Sequence, residues 1–142
     1  MAKPHENLEV WKQAMRLVKS VYEMTSLFPV EERYGLSQQM RGASVSIPSN
    51  IAEGAGRSGP REFLNFVGIA RGSLAELETQ MQLAVMLDFA SSDHLAFELV
   101  EVTGKLLTGL HKKLGHPRHI MISQADGYSI RSFRRSSATT CY

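Results

Sequence analysis

The chain has 142 residues and a formal net charge of +2, with 43% hydrophobic and 21% charged residues. This length and composition are ordinary for one globular domain that buries a core without disulfides or metals. A single cysteine, Cys141, excludes an internal disulfide, and no apolar run approaches the ~18 residues of a membrane span. With no signal-like opening segment, a cytoplasmic protein without a membrane association is expected.

The positive charge is concentrated at the C-terminal end. Residues 116–142 carry four arginines against one aspartate, a net charge of +3, so residues 1–115 carry a net charge of −1. Because residues 1–115 are nearly neutral, the overall charge gives little support for nucleic-acid binding. The excess of basic residues lies in residues 116–142.

Two helices are predicted in the first part of the chain. The first follows Asn7, a candidate N-cap, and fades near Ser26; alternating steps of three and four mark its expected seam, formed by Leu8, Trp11, Met15, Val18 and Tyr22. A connection containing Pro29 and Gly35 leads to the second helix. Its seam is formed by Leu36, Met40, Ala43, Ile47 and Ile51.

Two longer helices follow. The third is predicted to reach Leu87, with Ser58 as a cap, Pro60 in the first turn, and a seam of Phe63, Val67, Ala70, Leu74, Leu77, Met81 and Ala84. For the fourth, Ser91 or Ser92 is the expected cap and Gly115 the C′ residue; its seam comprises Leu95, Leu99, Val102, Leu106, Leu110 and Leu114.

No segment alternates as a strand would, so the predicted fold is all-α. Four amphipathic helices with short connections favour an antiparallel up-and-down four-helix bundle over residues 1–115. Residues 116–142 have no long helical pattern and are predicted to form a flexible basic tail.

Pro48 lies inside the second helix, where it removes one backbone donor and predicts a kink. Beside it is a second face of small, uncharged residues, Val45, Pro48, Ser49 and Ala52, and helix 3 carries a similar secondary stripe that includes Phe66 and Ile69. Two interpretations stay open: wide apolar faces at the centre of one bundle, or a contact with another copy of the chain.

Three segments carry a family resemblance: LEVWKQAMRLVKSVY, FPVEERYGLSQQMRGASVSIPSNIAEGAGR and EFLNFVGIARGSLAELETQ. Over residues 7–114 the chain resembles the bacterial four-helix-bundle family typified by the 23S ribosomal RNA intervening-sequence protein. That resemblance implies a homo-oligomeric bundle, with rings of five known, and no enzymatic activity or cofactor. The fold is also similar to the pentameric accessory protein of diversity-generating retroelements, which works with a reverse transcriptase and RNA. The family name does not establish binding to ribosomal RNA.

Arginines are the candidate nucleic-acid contacts. Arg57 and Arg61 flank the start of helix 3, and the tail run RSFRR places Arg131, Arg134 and Arg135 around an aromatic side chain. The GAGRSG stretch matches a dinucleotide fingerprint, but that fingerprint requires a preceding strand, so a helix-to-helix turn is predicted.

The other polar residues are given structural roles. Arg41 is expected to pair with Glu76, Ser46 to face Arg71, and Glu53 to pair with Arg57. The three histidines His111, His116 and His119 straddle Gly115 and Pro117, so no metal site is predicted. The alternative function is a ligand-binding or enzymatic bundle that uses its interior, which would require convergent polar side chains in seams that are almost wholly apolar.

Overall fold

The computed structural model describes residues 2–116 of the chain. Its four long helices are α1 (Glu9–Thr25), α2 (Leu36–Ala55), α3 (Pro60–Met86) and α4 (Leu95–Gly115), and short 3-10 turns occupy Pro4–Asn7 and Val30–Glu32. No strand is present in this part of the chain, so the predicted all-α class is confirmed. The predicted tail lies outside the described residues.

The helices pack around a square. α1 contacts α2 and α4, and α3 contacts the same two helices, while the diagonal pairs do not touch. The connections between successive helices have ten, four and eight residues, short enough to make sequential neighbours antiparallel, as in an up-and-down bundle. Within residues 2–116, none of the helices combines the length and hydropathy that crossing a bilayer requires.

The seams predicted for α2 and α3 do face the core. Both helices bury one stripe of apolar side chains, comprising Met40, Ala43, Ile47, Ile51, Val67, Ala70, Leu74, Leu77, Met81 and Ala84. Leu36 and Phe63, at the ends of the two seams, are half-buried against this core. Because these helices form the most extensive contact in the bundle, their wide apolar faces are largely used within one protomer.

The seams predicted for α1 and α4 are only partly correct. Leu99 is buried, and five other seam residues pack half-buried against the core: Leu8, Trp11, Leu106, Leu110 and Leu114. The most deeply buried stripe of each helix is nevertheless displaced by about one position from the predicted seam. The core residues of α1 are Val10, Ala14, Leu17, Val21 and Met24, whereas Met15 is 46% and Tyr22 42% exposed. On α4 the core residues are Ala96, Leu99, Val100, Thr103 and Leu107, so Leu95 and Val102 lie outward. One position corresponds to a rotation of about 100°. Each of these helices carries two adjacent apolar stripes. The stripe that is buried most deeply is not the one that the spacing of the large apolar side chains predicts.

Several predicted caps also differ from the structure. α1 is preceded by the N-cap Leu8, α3 by Gly59 and α4 by His94, in place of Asn7, Ser58 and the two serines at 91 and 92. The His94 Nδ1 accepts from the backbone N–H of Ala96 at 3.1 Å. Pro60 does occupy the first turn of α3, as predicted, and α4 ends at Gly115.

Helix α2 continues through Pro48 without a break. The proline has no N–H, so the carbonyl of Ser44 lacks its usual helical donor. Side chains just beyond the proline bond back to neighbouring carbonyls: Ser49 Oγ donates to Val45 O at 2.8 Å, and Asn50 Nδ2 donates to Ser46 O at 2.7 Å. Polar side chains around the proline thus bond to the backbone of the same turn.

Candidate interaction surfaces

An apolar groove runs between α1 and α2. It is lined by the following residues of the N-terminal turn and the two helices: His5, Trp11, Met15, Val18, Val45, Pro48, Ser49 and Ala52. On each helix the lining positions recur at three or four residues, so each helix contributes one continuous ridge. We call this surface the α1/α2 groove.

The α1/α2 groove is open to solvent and carries no charge other than any on His5. Met15 is 46% and Val45 41% exposed, whereas Pro48 is buried and forms part of the floor. The His5 ring packs edge-on against Trp11, with 5.1 Å between ring centroids, and closes one end. Residues 42–52 of α2 contain no charged side chain. Such a surface is unusual for the solvent face of a helix, which normally carries Lys and Glu.

The six predicted interface residues do not share one surface. Val45, Pro48, Ser49 and Ala52 lie together in the α1/α2 groove. Ile69, 45% exposed, lines a separate depression between α3 and α4. Phe66 lies at the α2–α3 end, where the Arg57 guanidinium covers its ring at 5.2 Å.

The two turn arginines have different surroundings. Arg57 Nη2 donates to Glu53 Oε1 at 2.9 Å, which confirms the predicted pair, and much of its charge is thereby neutralised. Arg61 forms no ion pair among the described residues and lines the α3/α4 depression with Leu64, Asn65 and His111. The tail candidates Arg131, Arg134 and Arg135 lie outside the described residues.

Arg41 does not pair with Glu76, and Ser46 does not meet Arg71. Arg41 extends toward α1, where its Nε donates to Thr25 Oγ1 at 2.8 Å and its guanidinium lies 4.5 Å from the Tyr22 ring centroid. Ser46 instead shares a 2.8 Å hydrogen bond with Ser73 of α3. The partner of Ser46 on α3 thus lies two residues beyond the predicted Arg71, and Arg41 lies on the side of α2 that faces α1.

A pair of carboxylates faces solvent between α3 and α4. Burial raises the pKa of Glu78, and the nearby Glu101 carboxylate raises it further. Lys105 and Lys112 line the same open cavity. Within residues 2–116, no group of three or more metal-ligating side chains is gathered at this or any other position.

The described core holds polar atoms but no ionisable side chain. Its buried polar residues are Ser20, Thr25, Ser37, Ser44, Gln80 and Thr103. The hydroxyls of Ser20 and Thr103 and the Gln80 Oε1 have no hydrogen-bond partner among residues 2–116. None of these groups is suited to general acid–base chemistry near neutral pH.

Sequence reasoning found the α2 side of the groove but missed its α1 side. Their spacing fits a bundle seam, so the sequence predicts core positions for Trp11, Met15 and Val18. The signal that could have separated them is the parallel stripe beginning at Val10, which has the same period and smaller side chains. A cleft containing Arg33 and Arg41 was missed as well, because its residues come from three separate segments.

In a comparison with protein families, the family model described as 23S rRNA-intervening sequence protein matches residues 6–109. That range covers all of α1, α2 and α3 and most of α4, so it includes both sides of the α1/α2 groove. Comparison with curated proteins gave no significant match. The family is not a known enzyme family. Since the match covers well over half of the chain and the fold is the four-helix bundle that the resemblance implied, the chain belongs to the 23S rRNA-intervening sequence protein family.

Proposed function

We propose that this protein is a non-enzymatic, cytoplasmic homo-oligomer, with a pentamer favoured, that acts as a binding or scaffold protein. The observation that carries the proposal is the α1/α2 groove. Trp11, Met15 and Val45 expose apolar surface there, and burying such surface between copies supplies a driving force of roughly 25 cal/mol per Å².

The predicted interface residues lie on different surfaces of the bundle, and this supports an assembly in which the protomers form a ring. A twofold dimer buries the same patch from both copies, whereas a ring joins two different patches head to tail. The α1/α2 groove is one such patch, and the α3/α4 depression around Ile69 is a second on another side of the bundle. A ring in which the groove of each copy receives the α3 side of its neighbour would cover both.

Multi-angle light scattering at micromolar concentration tests assembly. The wild-type mass is expected to be five times the 15.8 kDa chain mass. Ala52→Glu should lower that mass, because it introduces a carboxylate into an apolar contact. Ala75→Glu is the matched control, since Ala75 is exposed on α3 and lines neither surface. A monomeric wild type, or equal loss of assembly in both variants, would contradict the proposal.

A second proposed role is weak association with RNA. Its support is Arg61, which forms no ion pair within residues 2–116 and lies beside an α3 N-terminus whose N-cap residue makes no side-chain cap bond, together with the arginines of residues 116–142. Fluorescence anisotropy with a labelled single-stranded RNA measures it. The alternative of an interior ligand site or enzyme has less support, because the described core offers no ionisable side chain.

A further inference from the structure

A small cleft lies at the junction of α1 and α2, apart from the α1/α2 groove and sharing no residue with it. Its polar lining comes from Thr25, Ser26, Arg33, Ser37 and Arg41, around a cavity of about 270 Å³. Three segments meet here: the end of α1, the 3-10 connection and the first turns of α2. Two arginines therefore line a space of small-molecule size.

The Arg41 side chain is held in place before any ligand arrives. Its Nε donates to Thr25 Oγ1 at 2.8 Å, and that hydroxyl donates to Val21 O at 2.8 Å. The guanidinium also packs over the Tyr22 ring, and its Nη2 reaches Tyr22 O at 3.5 Å. Nη1 has no partner among residues 2–116, so it remains available to an acceptor in the cleft.

Within residues 2–116, neither arginine forms an ion pair with a carboxylate. The ion pairs in the described part of the chain are Lys19–Glu23 and Glu53–Arg57, both elsewhere. The nearby Glu32 carboxylate accepts from the Leu36 backbone N–H at 2.9 Å, and so caps the start of α2. Two like charges beside one cavity repel each other, and a ligand with two negative charges would remove that repulsion.

Ser37 adds a small polar side chain to the lining. The residue is 6% exposed overall and contributes to the wall of the cleft. A ligand oxygen in the cleft would accept from this hydroxyl and from the arginines together.

We propose that this cleft binds a phosphate dianion, either as inorganic phosphate or as a terminal phosphomonoester. A phosphomonoester carries close to two negative charges above its second pKa of about 6, and inorganic phosphate does so at somewhat higher pH; both offer three or more acceptor oxygens. A carboxylate has one charge and matches the two guanidinium groups less well. Planar guanidinium forks are the side chains best suited to such an oxyanion.

Titration calorimetry on the full-length protein at pH 7.5, with sodium phosphate against chloride of equal ionic strength, tests the proposal. Saturable binding is expected. Arg33→Gln should weaken it about 10-fold through the loss of a charge-assisted contact, and Ser37→Ala by a smaller factor. Arg71→Gln is the control, because it removes an exposed arginine on α3 that does not line the cleft.

Titrations with a nucleoside monophosphate and with the matching nucleoside distinguish inorganic phosphate from a terminal phosphomonoester as the ligand of the cleft. Tighter binding of the monophosphate than of inorganic phosphate would identify a larger phosphomonoester, and equal affinity would identify free phosphate; both support the site. Absence of saturable phosphate binding by the wild type would overturn it. So would unchanged affinity in Arg33→Gln and Ser37→Ala, or an equal loss in Arg71→Gln. Both cleft variants are mild, and retained helical circular dichroism checks their folding.

Discussion

At the scale of single residues, Leu17 and Met15 of α1 have opposite surroundings. Leu17 is fully buried, while Met15 is 46% exposed in the α1/α2 groove. Leu17→Ala should lower the free energy of unfolding by ~2–5 kcal/mol, because it leaves a cavity in a packed core. Met15→Ala should lower it by less than ~1 kcal/mol when both are measured by urea unfolding at one low protein concentration. Equal losses would mean that the α1 seam predicted from spacing is the real core face.

At the scale of helices, Gly54 allows the close approach of α2 to α3. A methyl group added there would lie 2.7 Å from Phe66 Cβ and 2.8 Å from Phe63 Cδ2. Gly54→Ala should therefore cost ~1–3 kcal/mol, since the helices must separate or the rings must move. At Gly72 on α3 no atom lies within 4 Å of an added methyl, so Gly72→Ala should stabilise by ~0.5–1 kcal/mol. Thermal unfolding of the two variants checks this contrast, and a neutral Gly54→Ala would contradict the tight contact.

At the scale of the whole molecule, the proposed assembly would multiply the positive charge carried by residues 116–142. Residues 2–116 are close to neutral, and four arginines follow them in each chain. A ring of five would bring about twenty of these arginines into one particle, so individually weak phosphate contacts would add.

Intact protein is therefore expected to bind single-stranded RNA weakly and in a salt-sensitive manner, and truncation after Gly115 should remove most of the affinity. Anisotropy across a salt series compares the two forms. Equal binding by both would move the site to Arg57 and Arg61 on the bundle, and no binding by either at ~50 mM salt would leave protein–protein contact as the function.

The sequence by itself determined the class of fold and two of its four helix faces. On α2 and α3 the core stripe is also the strongest apolar stripe, so periodicity identified Ile47 and Leu74 as core residues. The Glu53–Arg57 pair was equally predictable, because it depends only on positions one helical turn apart. Local spacing along one helix contains all the information that these features require.

Tertiary structure alone decided which stripe of α1 and α4 faces inward and where Arg41 points. Both stripes of α1 have a bundle period, and only the helices packed beside it determine that Leu17 is enclosed and Met15 exposed. Likewise, the packing of α2 against α3 places Ser46 beside Ser73, two residues beyond the predicted Arg71. The position of α1 allows Arg41 to donate a hydrogen bond to Thr25. The α1/α2 groove and the two-arginine cleft arise from such contacts between helices, which no periodicity within a single helix encodes.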